Sequence, residues 1–253
     1  MRDPRTNSLT EGAARRGFSL LELLIVLSVT AVLLALLTPG FARIRESARQ
    51  VICANNLRQV GIALAEYVDD KPRSRGRLPV TAFGYAPNPK PTEMMLVRFG
   101  SDYGAAWDGI GILYNLGYIN SAETYYCPSN TGEHSLARYE EEWSSGATSG
   151  MLDPIYSNYH YRGYVRNVGP IFEKRFDSLR RIQSRDLPQG LSIVSDGLRT
   201  RSDYSHVVGN NTLYLDLSVS WYDDPEMRIY GLLPDVPDQN WQDSPWVSFD
   251  RRR

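Results

Sequence analysis

Gly17-Phe18-Ser19-Leu20-Leu21-Glu22-Leu23-Leu24-Ile25-Val26-Leu27 opens an apolar run. The run continues through Ser28-Val29-Thr30-Ala31-Val32-Leu33-Leu34-Ala35-Leu36-Leu37 and meets Thr38-Pro39-Gly40. A helix needs about 20 apolar residues to cross the hydrocarbon core of a bilayer. Phe18 to Leu37 meets that length with one charged residue, Glu22. Arg2, Arg5, Arg15 and Arg16 precede the run. Flanking positive charge is retained in the cytoplasm, so the rest of the chain is expected to be exported. Arg43, Arg45 and Arg49 pull the other way from beyond the run. Arg15 and Arg16 lie closest to it and carry the orientation.

Three ordinary explanations compete for this segment. A cleaved secretory signal would need a small-residue site just after the apolar stretch, and 36–42 offers no good one. Arg15-Arg16-Gly17-Phe18 looks like a twin-arginine export signal, but both export signals usually lack an acid within the apolar stretch. A plain anchor leaves Glu22 unexplained. An ionisable side chain there costs on the order of 3 kcal/mol on insertion scales, and such residues are usually functional.

Gly17-Phe18-Ser19-Leu20-Leu21-Glu22 resembles the processing site of type IV prepilins and type II secretion pseudopilins. The resemblance implies a cut between Gly17 and Phe18 by a prepilin peptidase on the cytoplasmic side. It implies N-methylation of Phe18, and pairing of Glu22 with the Phe18 amine of a neighbouring subunit during assembly. Two physical reasons fit. Glycine lets a peptidase approach the backbone closely, and a buried carboxylate wants a cation. The family also carries a proline where this chain has Pro39, before Gly40. Two readings of Pro39 stand: a kink within a continuing helix, or the end of the membrane helix.

Beyond Pro39 the apolar residues keep helical spacing. Phe41, Ile44, Ala48, Val51 and Ile52 form one stripe, with Ile62 pointing the same way; Cys53, Leu57, Val60, Leu64 and Tyr67 form another, nearly opposite. The first is expected to face neighbouring helices in a filament and the second to pack on the chain's own globular part. A helix break near Cys53 would explain the same pattern. Cys53-Ala54-Asn55-Asn56-Leu57-Arg58-Gln59-Val60-Gly61 is similar to the C-x-x-N-L-x-Q-x-G run of a bacterial pseudopilin-like subgroup, in which a Cys-Pro-Ser turn like Cys127-Pro128-Ser129 is common. A disulfide between Cys53 and Cys127 is one expectation; a buried thiol and a loop thiol are the other.

The chain has 253 residues, a net charge of -1 and a pI of about 6.3. That balance gives no support to broad capture of nucleic acid. The two cysteines and three histidines show no zinc-ligand spacing. The expected order is a leader at 1–17, a transmembrane and amphipathic helix at 18–67, a charged and proline-rich linker at 68–91, and a globular domain at 92–253. Ile110–Leu116 reads as a short helix, Glu140-Glu141-Glu142 as an exposed helix end or loop, Tyr156–Val165 as β, and Leu191–Ser195 as a buried strand ending at Asp196-Gly197. Leu213–Tyr222 alternates with period two and reads as a half-buried strand of an antiparallel sheet. The fold class is therefore α+β, a long N-terminal transmembrane helix packed against a domain with an antiparallel β-sheet.

His206 and Asp216 are separated by nine residues, similar to the H-x9-D-G signature of the same subgroup, with Leu217 in place of the glycine. Without that glycine a tight hairpin is disfavoured. The residue types suggest a histidine capping a loop and an aspartate in a turn. No nucleophile elbow, zincin motif or phosphate-cradling loop is present in the sequence, so an enzyme is not expected and no catalytic residue is assigned. No cofactor or metal is assigned either. Calcium is a weak alternative through Asp196, Asp203, His206 and Asp216, with Asp235, Asp238 and Asp243 as further oxygens, but their spacing fits no recognised loop.

The resemblance implies a structural subunit of a type II secretion pseudopilus or a related type IV pilus-like filament. Its implied partners are copies of itself and other pseudopilins, the prepilin peptidase, and an inner-membrane assembly platform with its cytoplasmic ATPase motor. The implied location is the inner membrane, single-pass, with the N-terminus cytoplasmic and the globular domain periplasmic. The alternative is a membrane-anchored binding module or enzyme that uses the same sorting route, such as an adhesin, a minor pilin or a glycan binder that recognises its ligand through many tyrosines.

Overall fold

A computed structural model describes residues 18–74, 76–79, 81, 95–144, 153–162, 189–206, 208–236 and 244–250. The chain divides into two compact units, residues 1–45 and 46–253. Helix α1 (Leu20–Asp69) starts in the first and ends in the second. It runs on through Pro39 and Gly40, so Pro39 does not end it.

In the first unit, the apolar side chains from Phe18 to Leu37 are exposed, as a lipid-facing stretch requires. The polar residues of this stretch are satisfied locally. Ser28 donates to the Ile25 carbonyl at 2.8 Å, Thr30 to Val26 at 2.9 Å and Thr38 to Leu34 at 2.8 Å. A hydroxyl bonded back to its own helix carries no unmet demand into hydrocarbon.

The second unit follows in chain order: α2 (Lys71–Ser74), β1 (Leu96–Arg98), α3 (Gly111–Asn115), α4 (Glu140–Ser144), β2 (Ile155–Tyr156), β3 (Tyr159–Tyr161), β4 (Ser192–Asp196), β5 (Gly209–Tyr214), β6 (Val219–Asp223), α5 (Arg228–Leu232) and α6 (Ser244–Phe249). Strands β1 and β2 pair antiparallel, and β3-β4-β5-β6 form an antiparallel sheet in that order. The fold is α+β. Helix α2 falls inside the stretch expected to be a linker; 82–91 lies outside the described residues. The β-rich reading of Tyr156–Val165 resolves into β2 and β3, and 163–165 is likewise undescribed.

The main core gathers Cys53, Leu57, Val60, Ala63 and Leu64 of α1 against Val97, Leu113, Tyr125, Trp143, Tyr159, Tyr161, Val194 and Leu213. These α1 positions recur every three or four residues, so one face is buried while Val51, Ile52 and Ile62 stay exposed. The helix is continuous past Cys53, which removes the alternative of a break there. Glycine permits two close approaches. A Cβ at Gly61 would sit 2.9 Å from Leu213 Cδ1, and one at Gly111 would sit 2.0 Å from the Val97 carbonyl oxygen. A second cluster packs Leu198, Tyr204, Ile229, Leu233, Trp246 and Phe249. At its edge, buried Arg162 meets Asp250 at 2.8 Å, and Asp250 also accepts from Ser192 Oγ at 2.6 Å.

The period-two stretch is corrected by the structure. Leu213–Tyr222 is a hairpin rather than one strand, with β5 and β6 registered from Gly209↔Asp223 to Leu213↔Val219. The missing glycine does not prevent the turn. Asp216 Oδ1 accepts from Ser218 N at 2.9 Å, Leu217 N donates to the Tyr214 carbonyl at 2.9 Å, and Leu217 adopts a left-handed φ of 64°. The Asp216 carboxylate holds the turn that glycine would otherwise have eased. Leu217→Gly should therefore raise stability by about 0.5–1 kcal/mol, the left-handed penalty less the extra chain entropy of glycine. Denaturant midpoints of the two chains check this.

A second expectation concerns acid. His134 is buried and stacks on Tyr156 with ring centroids 4.5 Å apart. Arg199 donates to His134 Nε2, so the proton sits on Nδ1 and is donated to Tyr139 Oη at 2.5 Å. Burial, then Arg199 and Arg138, push the His134 pKa from 6.5 down to about 4. The unfolded chain takes up a proton as pH falls through 6.5, and the folded chain does not until about 4. Stability is thus full above that window and falls across it on acidification, by at most about 1.4 kcal/mol per pH unit for one proton. Urea midpoints measured at several pH values should show this slope reduced in His134→Gln.

Candidate functional site

Two constellations hold the residues singled out from the sequence. The first is the start of α1. Phe18 is exposed, and Gly17 lies outside the described residues. Ser19 and Glu22 form a reciprocal capping box. Glu22 Oε2 accepts from Ser19 N at 2.9 Å, and Ser19 Oγ accepts from Glu22 N at 3.1 Å. Each fills a backbone donor that the first helical turn leaves open. The Ser-x-x-Glu spacing of this box is a local pattern legible in the sequence. Glu22 therefore already has a local partner. A carboxylate accepts more than one donor, so the cap does not exhaust it.

The second lies where α1 meets the sheet. Each marked residue of the Cys53–Gly61 run has a separate contact. Cys53 is disulfide-bonded to Cys127. Asn56 Nδ2 donates to the Tyr126 carbonyl at 3.1 Å, Leu57 is buried in the core, Gln59 Oε1 accepts from Thr124 Oγ1 at 3.3 Å, and Gly61 admits Leu213. Three of these residues fasten one helix face to the single segment 124–127.

His206 lies beside the disulfide, buried, between three other groups. Its Nδ1 meets Glu46 Oε1 of α1 at 2.6 Å; carboxylate oxygens accept, so Nδ1 carries the proton. Nε2 then faces Cys127 Sγ at 3.5 Å and Asp196 Oδ2 at 3.7 Å. Glu46 is also held by Ser129 Oγ, 3.0 Å from both carboxylate oxygens. Asp196, at the end of β4, accepts at Oδ2 from Asn211 N at 2.7 Å and Asn211 Nδ2 at 3.1 Å. Burial pushes the Asp196 pKa up to about 6, with His206 and Asn211 pulling it back. Trp221 covers the His206 ring edge-to-face, centroids 5.4 Å apart. Glu46 and Asn211 carried no signal in the sequence, because they are joined to this group by the fold alone; Ser129 was marked only as part of the Cys127-Pro128-Ser129 turn.

The two halves of the His206–Asp216 signature do different work. Asp216 shapes the β5–β6 turn, as the residue type suggested, while His206 joins helix to sheet rather than capping a loop. Of the acids considered for calcium, Asp196 adjoins His206, Asp203 takes Thr200 Oγ1 at 2.8 Å, and Asp235 pairs with Arg201 at 2.7 Å. Asp238 and Asp243 lie outside the described residues.

Residues 12–38 match the family described as Prokaryotic N-terminal methylation motif. Residues 42–107 match the family described as Protein of unknown function (DUF1559), which covers the Cys53–Gly61 run. No curated protein matches, and no solved structure does.

Proposed function

We propose that this chain, which carries the prokaryotic N-terminal methylation motif over residues 12–38 ahead of an apolar helix, is a type IV pilin-like structural subunit of a pseudopilus or a related pilus-like filament. A motif of this kind implies processing by a prepilin peptidase, membrane anchoring and pilin-type assembly in general. In the proposed cycle the cut falls between Gly17 and Phe18, and Phe18 is methylated. The subunit then waits in the inner membrane, single-pass, with its second unit in the periplasm. Other copies of itself and related pseudopilins are its lateral neighbours, and an assembly platform with a cytoplasmic ATPase supplies the work. Type II secretion is the process this role would serve. The role is structural and needs neither a catalytic residue nor a cofactor.

The observation that carries this reading is the long helix with two different faces. Its apolar residues at Val51, Ile52 and Ile62 are exposed, while Cys53, Leu57, Val60 and Leu64 on the other face are buried in the chain's own core. Exposed apolar residues in register with a membrane helix supply a surface for a neighbouring helix. Of the tyrosines that the alternative, a glycan-binding module, would draw on, Tyr125, Tyr126, Tyr139, Tyr159, Tyr161, Tyr204 and Tyr214 are buried, while Tyr67, Tyr114, Tyr118, Tyr156, Tyr222 and Tyr230 are partly exposed.

N-terminal sequencing with intact mass on protein extracted from membranes tests the reading. The expected product starts at Phe18 and is one methyl group heavier than the unmodified chain. A product that starts beyond Ala42 would overturn it, since the helix would then have been discarded.

A further inference from the structure

Cys53, Cys127, Asp196 and His206 each bring one ligand atom into a buried group whose members all lie within 4.8 Å of one another. They come from α1, the loop after residue 125, β4 and the turn before β5. We propose that, when the Cys53–Cys127 bond is reduced, these four side chains bind one zinc ion, and that disulfide and zinc are alternative fillings of the same place.

The geometry argues for zinc ligation independently of the filament role. Zinc bonds of roughly 2.3 Å to thiolate and 2.0–2.1 Å to imidazole or carboxylate put neighbouring ligands of a tetrahedron about 3.3–3.8 Å apart. His206 Nε2 already stands 3.5 Å from Cys127 Sγ and 3.7 Å from Asp196 Oδ2. Nδ1–H is held by Glu46, so Nε2 is the ring nitrogen turned into the cluster, and a metal there would take the place of any proton it carries. A carboxylate behind a histidine is the arrangement that orients an imidazole on a metal and raises its basicity. Asn211 steadies Asp196 in the same manner from the other side. Asp196 Oδ1 is buried and has no hydrogen-bond partner among the described residues, an unmet acceptor on the carboxylate that belongs to the cluster. Two thiolates with one imidazole and one carboxylate suit zinc better than an all-oxygen cation such as calcium. The sequence hides this site, because the ligands are spread from 53 to 206 and fit no short zinc pattern.

The chemistry balances. A thiol donor reduces the disulfide: two donor thiols become one donor disulfide, and Cys53 and Cys127 each gain a proton. Zinc then displaces those two protons and binds both thiolates. The donor disulfide reverses the order: it takes two electrons from the thiolates and, with two protons from solvent, becomes two donor thiols, while the Cys53–Cys127 bond re-forms and the ion is expelled. Under either condition residues 53 and 127 stay tied, so the packing of the 46–69 part of α1 within the second unit survives a change of redox compartment.

The test uses the full chain in detergent. Oxidised protein and protein reduced with a phosphine are each incubated with zinc and freed of excess, and the bound metal is counted. One zinc per reduced chain and none per oxidised chain is the expected result. Cobalt in place of zinc should give the intense visible bands of a tetrahedral site with thiolate charge transfer. His206→Asn and Asp196→Asn should each weaken zinc binding at least ten-fold, and Glu46→Gln, acting through His206, by about 10–100-fold. The proposal is overturned if folded, reduced protein takes up no zinc, or if His206→Asn and Asp196→Asn bind it as tightly as the parent. Should reduction alone unfold the chain, circular dichroism decides. Zinc must restore the folded signal in the parent and not in His206→Asn, and failure to restore it in the parent sinks the idea.

Discussion

Chains carrying Glu22→Gln should be processed and methylated normally, yet enter filaments at least ten-fold less than the parent. Glutamine can still accept from the Ser19 N–H, so it keeps the capping box that Glu22 forms at 2.9 and 3.1 Å. What it lacks is the negative charge. Glu22→Ala removes both, and the lost cap alone is worth about 1 kcal/mol of helix stability. The pair of substitutions therefore separates two roles that wild-type Glu22 combines. If the carboxylate matters because a neighbour's Phe18 amine must be neutralised within the bilayer, both variants fail alike. If it matters only as a cap, Glu22→Gln assembles and Glu22→Ala does not. The measurement is the share of chain in sheared filaments against membranes, with intact mass to confirm cleavage after Gly17. Parent-like assembly of Glu22→Gln would remove the charge from the mechanism.

The largest loss of stability is expected from the disulfide. Cys53 and Cys127 are 74 residues apart in sequence, and both are buried where α1 meets the segment 124–127. Cross-linking a loop of that length removes chain entropy from the unfolded state, worth about 4 kcal/mol in the loop-closure model. The double variant Cys53→Ala/Cys127→Ala avoids stray thiols. Its full chain in detergent should unfold at a markedly lower denaturant concentration than the oxidised parent. The bonds from Asn56 and Gln59 to the same segment remain, so the helix face should still dock, more weakly. An unchanged midpoint would show that residual structure in the unfolded chain already holds these positions together.

Legibility in the sequence followed the range of the interactions. The start of α1, its apolar stretch and its two faces are local patterns with a 3.6-residue period, and each could be read along the chain. The same holds for the buried strand ending at Asp196 and the short helix near Ile110. The hairpin at Leu217 is not legible from the turn propensity of one residue, because the Asp216 carboxylate and the β5–β6 pairing outweigh a left-handed leucine. The Ser19–Glu22 box is equally local, a Ser-x-x-Glu spacing that stands beside the role of Glu22 as a charge in the membrane.

The amino-acid order alone settled that this protein has a processing-type N-terminus and a membrane-length helix, because length, apolarity and residue spacing are properties of neighbours along the chain. Only the folded chain could place His206 between Glu46, Cys127 and Asp196, and Asn56 and Gln59 on one distant loop. Apart from His206 with Asp196, those contacts join residues 65 to 160 positions apart, and no periodicity reports a partner that only packing of helix on sheet brings near.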